Sequence, residues 1–118
     1  MNTRCLLVDD NEDFLASATR LLESQGLDVV GRARSSAEAL DLVERLTPYV
    51  ALVDIELAEE DGITLSHQLH ARAPGTRIVL ISAYEREDLA DLLGGSSAAG
   101  FVPKRILGAD AIAAVLAG

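Results

Sequence analysis

The chain has one cysteine, no tryptophan, two phenylalanines and two tyrosines in 118 residues. Cys5 alone closes no internal disulfide, which excludes a disulfide-stapled scaffold and fits a reducing compartment. It reads as a small buried hydrophobe. With aromatics at 3%, the core must be built from Leu, Val, Ile and Ala. Basic residues are also scarce, 10 against 19 acids, for a net charge of −9. Gripping nucleic acid calls for a basic face, so direct DNA or RNA binding by this domain is not expected. No apolar run approaches membrane-spanning length and no charged-then-apolar leader is evident, so the expected location is cytoplasmic, off the membrane. The two histidines, His67 and His70, stand three apart with no third ligand. They read as surface side chains, not a metal site.

What is present is apolar residue in abundance, 49%, in a length typical of one domain spanning 1–118. Strand-like runs are Arg4–Val8, Leu27–Ala33, Val50–Val53, Ile78–Ile81 and Gly100–Val102. Between them the apolar spacing turns helical. Phe14, Leu15, Ala18, Leu21 and Leu22 share one helix face, and Gly26 suits a left-handed cap after it. Ser35 with Glu38 forms an S-x-x-E capping box for a second helix to about Leu46, where Pro48 blocks continuation. Asp61-Gly62 leads into a third helix over Ile63–Arg72, ended by Pro74-Gly75. The fourth is expected over Glu85–Leu93, and its end at Gly94-Gly95 is expected to be short or frayed. The last, about Leu107–Ala117, puts Ile112, Val115 and Leu116 on one face. Uninterrupted apolar strands alternating with helices imply an α/β fold: a five-stranded parallel sheet covered on both faces. In such sheets the ligand crevice lies at the carboxyl ends of the strands.

The residues leaving those ends are Asp9 and Asp10 after the first strand, Asp54 after the third, Ser82 after the fourth and Lys104 after the fifth. A parallel sheet brings all of them to one edge. Carboxylates about 5 Å apart repel by roughly 3 kcal/mol per pair at an effective dielectric near 20. Such a nest needs protons, the Lys104 ammonium or a hard cation. Oxygen donors without His or Cys point to Mg²⁺. With a hydroxyl and an ammonium added, the set suits phosphoryl transfer to a carboxylate, and Asp54 is the nucleophile candidate because it stands alone at the central strand's end. Asp9 and Asp10 are better placed as metal holders.

"LLVDDNEDFL", "VALVDIELAEEDGITL", "IVLISAY" and "GFVPK" together resemble, in order and spacing, the motifs of receiver domains of two-component response regulators, over essentially the whole chain. The resemblance implies a doubly wound, flavodoxin-like sheet of order 2-1-3-4-5. It implies that Asp54 accepts phosphate from a sensor histidine kinase, with Mg²⁺ held by Asp10, Asp54 and the backbone carbonyl of Glu56, and by Asp9 through water. Ser82 would hydrogen-bond the phosphoryl group and Lys104 would pair with its oxygens. Phe101 matches the switch aromatic, turning inward when Ser82 is drawn to the phosphate and so changing the face of the fourth helix, fifth strand and fifth helix. The apolar pattern is similar to receivers that precede a helix-turn-helix DNA-binding output domain, which would lie outside this chain. The resemblance also leaves room for a phosphorylation-dependent homodimer.

Several positions depart from the common pattern. Leu57-Ala58 stands where Met-Pro is usual, and Pro103 precedes Lys104 instead of following it. Glu56 and Tyr84 fall two residues after Asp54 and Ser82, where they would tune the phosphate's lifetime. Glu59-Glu60-Asp61 reads as a solvated loop that would also repel kinases with acidic docking faces. A Mg²⁺-dependent phosphatase using the same aspartate is the alternative. It would need a second acid, for which Glu56 is placed, and an enclosing cap, for which no insertion is long enough. The residues fit better a switch domain that catalyses only its own phosphorylation and dephosphorylation.

Overall fold

A computed structural model of the chain describes residues 3–57, 61–84, 89–94 and 96–118. Strands β1 to β5 are Arg4–Val8, Asp28–Ala33, Val50–Asp54, Arg77–Ser82 and Gly100–Pro103. Helices α1 to α5 are Glu12–Ser24, Ser36–Leu46, Gly62–Arg72, Leu89–Gly94 and Ala109–Ala117. All pairings are parallel and the strand order is β2-β1-β3-β4-β5.

Why the strands carry unbroken apolar runs is plain from the pleat, which sends neighbouring side chains to opposite faces. Leu6, Val8, Ala51, Val53, Ile78 and Leu80 point to one face and pack with Ala39 and Val43 of α2 and Leu65 and Leu69 of α3. Cys5, Leu7, Val50, Leu52, Val79 and Ile81 point to the other, against Leu15, Ala18 and Leu22 of α1 and Ile112 of α5. Each large side chain so buried stabilises the fold by roughly 1.5–3 kcal/mol. Burial pushes the Cys5 thiol pKa up to about 12, as expected of a core residue.

Helix starts follow local side-chain caps. Asn11 accepts from the Phe14 N–H at 3.0 Å, Ser35 from the Glu38 N–H at 3.2 Å and Asp61 from the Thr64 N–H at 2.8 Å. Each is worth about 1 kcal/mol. Gly26 takes φ +92° just past α1, the left-handed conformation that ends it.

Three expectations are corrected. Leu21 is 40% exposed because the buried stripe of α1 is narrower than its apolar spacing. The Glu38 carboxylate accepts from the Arg34 N–H at 3.3 Å, one residue before the Ser35 amide a full capping box would use. The last helix begins at Ala109, not Leu107, because a 3-10 turn at Lys104–Ile106 and an extended Gly108 precede it. The described part of the fourth helix ends at Gly94. The expectations for Ala58, Glu59, Glu60, Gly95 and the start of that helix over 85–88 lie outside the described residues.

Candidate functional site

The parallel register carries Asp9, Asp54, Ser82 and Lys104 to one edge: Val8 pairs with Val53, Asp54 with Ile81 and Ser82 with Pro103. The loop after β3 is fixed from behind by Gly62, whose N–H donates to the Ile55 carbonyl at 2.9 Å. A Cβ at that position would clash with the Asp54 carbonyl oxygen and come within 2.9 Å of Ile55 Cα. Only glycine lets α3 start this close to the end of β3.

Asp9 is fully buried, and Asp54 is 4% exposed. Asp9 Oδ1 accepts from the Asn11 N–H at 2.8 Å, and its Oδ2 lies 2.6 Å from Lys104 Nζ. The same ammonium is 3.6 Å from Asp54 Oδ2 and 4.3 Å from the centre of the Phe14 ring. Asp54 Oδ1 accepts from the Glu56 N–H at 3.1 Å. Ser82 Oγ donates to Glu56 Oε1 and accepts from the Tyr84 N–H at 3.0 Å. Beside them opens a cleft of about 220 Å³ lined by Asp9, Asp10, Asn11, Asp54, Glu56, Ala83, Tyr84 and Lys104, with Ser82 and Phe14 behind its wall.

Burial, with the neighbouring Asp9 charge second, raises the Asp54 pKa to about 6, against the opposing pull of the Glu56 N–H and Lys104. Burial also works against the Lys104 ammonium. Its hydrogen bond to Asp9 and the charges of Asp54 and Asp9 outweigh that, so its pKa stands above the ordinary lysine value. One ammonium thus serves two carboxylates and leaves the nest short of positive charge.

Asp9, Asp10 and Asp54 each offer an oxygen within 4.8 Å of the others. Oxygens around a magnesium-sized ion lie about 3 Å apart when adjacent and about 4 Å when opposite, given metal–oxygen distances of about 2.1 Å. The 4.8 Å limit is slightly wider than the larger of these separations, and it is the all-oxygen donor set and the charge deficit that suit a hard divalent cation. Phe101 is half-buried, pairs with Leu80 and packs on the α2–α3 face.

Sequence reasoning expected the five strand-end residues on one edge, and the structure places them there. Sequence reasoning missed the contact of Phe14 with Lys104, although one of only two phenylalanines directly behind the acids was a usable signal. It placed Glu56 through its backbone and missed its side-chain bond to Ser82. His67 and His70 are exposed, and His67 Nδ1 sits 2.9 Å from Ser97 Oγ, away from the cleft. A larger groove of about 720 Å³ opens at the amino-terminal edge of the sheet beside Arg4, Tyr49 and Arg72. Its two guanidiniums already engage the Thr47 carbonyl and Glu44, and it holds none of this chemistry.

The chain is similar to longer proteins of known type. It is 38% identical over 86 residues to a protein-glutamate methylesterase/protein-glutamine glutaminase of Halobacterium salinarum, covering 73% of this chain and 24% of that protein. It is 36% identical over 115 residues to the DNA-binding transcriptional activator DevR/DosR of Mycobacterium tuberculosis, covering 95% of this chain and 52% of that one. The chain therefore spans a quarter to a half of the length of these relatives. A crystal structure of a Burkholderia pseudomallei response regulator with a phosphorylated aspartic acid, a calcium ion and citrate superposes with a TM-score of 0.83 at 26% identity, covering 98% of this chain and 66% of that one. The sequence profile of the response regulator receiver domain matches residues 5–116, and with these strands, this edge and these relatives the chain belongs to that family of two-component signalling domains.

Proposed function

We propose that the chain is a single phosphoacceptor domain, 1–118, that takes a phosphoryl group from a sensor histidine kinase onto Asp54 and changes its α4-β5-α5 face in response. The observation that carries this reading is Lys104 Nζ paired with Asp9 and Asp54 at once, at 2.6 and 3.6 Å, in a cleft open to solvent. A carboxylate oxygen of Asp54 forms the new P–O bond, and the bond to the leaving group breaks with its electron pair departing on that group. The Glu56 N–H orients the Asp54 carboxylate, and Lys104 offsets charge on the phosphoryl oxygens. Ser82 supplies a hydrogen bond to those oxygens.

The donor set suits Mg²⁺, held by Asp10, Asp54 and the backbone carbonyl of Glu56, with Asp9 contributing through water; the ion's charge would neutralise the nest and the transferring group. The phosphorylated aspartic acid and calcium ion of the Burkholderia pseudomallei protein support this assignment. Phe101 is the switch residue that follows Ser82. The domain catalyses only its own phosphorylation and dephosphorylation. Its output is transcription through a DNA-binding domain of a longer protein, as the DevR/DosR relative suggests, with a phosphorylation-dependent homodimer as the active form. The net charge of −9 disfavours nucleic-acid contact by this domain itself. No helix among the described residues is long and apolar enough to cross a membrane.

Incubation with acetyl phosphate and Mg²⁺ tests the reading. Intact-mass measurement is expected to find one phosphoryl group per chain, absent from a folded Asp54→Asn variant. Label elsewhere, or sustained turnover of unrelated phosphoesters, would overturn it.

A further inference from the structure

Ser82 has a single hydroxyl proton to give. In this structure it gives that proton to Glu56 Oε1, and the Tyr84 N–H fixes the same oxygen from the other side at 3.0 Å. Glu56 is itself anchored on the phosphoacceptor, through its N–H on Asp54 Oδ1. Ser82 is 1% exposed, and the cleft in front of Asp54 is lined by Glu56 and not by Ser82. A carboxylate oxygen and a phosphoryl oxygen are equivalent partners for a hydroxyl: both are anionic acceptors of charge-assisted hydrogen bonds.

We propose that the Glu56 carboxylate is an intramolecular competitor for Ser82, occupying the hydrogen bond that a phosphoryl oxygen on Asp54 would take and holding the switch until it is displaced. The proposal rests on the reading of Asp54 as phosphoacceptor and names Glu56 as the positioning residue that sets its threshold. Competition is distinct from repulsion. The charge of Glu56 opposes an anion at Asp54 whether or not Ser82 is present, whereas competition exists only while the Ser82 hydroxyl does. No covalent bond changes in the displacement. The proton stays on Ser82 Oγ, and the hydrogen bond it gives passes from Glu56 Oε1 to a phosphoryl oxygen.

A double-mutant cycle separates the two effects. Calorimetry measures the affinity for beryllofluoride, a phosphoryl mimic, in the presence of Mg²⁺ for the wild type, Glu56→Ala, Ser82→Ala and the double variant. Glu56→Ala is expected to tighten binding about five-fold when Ser82 is present and less than two-fold when it is absent, as a competing charge-assisted bond requires. Glu56→Gln keeps an acceptor and loses the charge, so its affinity is expected between wild type and Glu56→Ala. Equal gains in both backgrounds, or Gln matching Ala, would overturn the competition. A wild-type chain that binds no beryllofluoride and takes no label from acetyl phosphate would overturn the phosphoacceptor reading instead.

Discussion

Asp54 illustrates how burial and charge set the behaviour of a single side chain. Its pKa of about 6 lies above the ordinary 3.8, first because it is buried and then because Asp9 is beside it. The folded chain therefore holds this proton more tightly than the unfolded chain, and its contribution to stability falls as pH rises from about 4 through 6. The cost at pH 8 without metal is on the order of 3 kcal/mol. Urea titrations in EDTA are expected to find Asp54→Asn more stable than wild type by roughly 2–3 kcal/mol at pH 8 and nearly equal to it below pH 4; a difference that does not change with pH would contradict this. Lys104 carries the opposite weight. Lys104→Met strands the fully buried Asp9, and removing one partner of such a pair costs about 3 kcal/mol. Thermal melts should register that loss in EDTA and a smaller one in MgCl₂ if Mg²⁺ takes the proposed site, because the variant removes a cation that would compete with it. An equal loss in both conditions would argue against a shared site.

Among the elements, α5 is held in an unexpected way. Its own N-cap position is Gly108, which offers no side chain, and the Ala109 N–H instead donates to Gln25 Oε1 at 2.6 Å. The cap comes from just past the end of α1, 84 residues earlier. Gln25→Ala should therefore destabilise the chain by about 1 kcal/mol, the usual loss for a helix cap, as measured by urea unfolding. No loss would show that water serves the amide as well. This contact was not legible in the sequence, because nothing local marks Gln25 as a cap for a distant helix. Of the local caps only Ser35 was anticipated, from its S-x-x-E spacing, although Asn11 and Asp61 also cap an amide three residues on.

In the whole molecule, stability is distributed unevenly. Strands β1, β3 and β4 have neighbours on both sides and cores on both faces. The described part of α4 is six residues long and ends at Gly94, a poor helix former. Hydrogen exchange is expected to be slowest in β1, β3 and β4 and fastest, among the regular elements, at residues 90–94. Protection there equal to that of α1 would contradict the picture. The parallel sheet and the edge where Asp9, Asp54, Ser82 and Lys104 meet were readable from unbroken apolar strands alternating with helices, whereas the strand order came from the motifs' resemblance to receiver domains. Which oxygen faces which proton was not readable. The Ser82–Glu56 bond depends on a side-chain rotamer, and the exposure of Leu21 depends on how far a helix rolls on its sheet.

The borrowed cap of α5 also bears on how the chain folds. A contact spanning 84 residues closes only after the intervening strands have assembled, so the start of α5 gains its stabilising acceptor late. The start of α5 is thus completed against a surface prepared by α1, which couples two elements far apart in sequence.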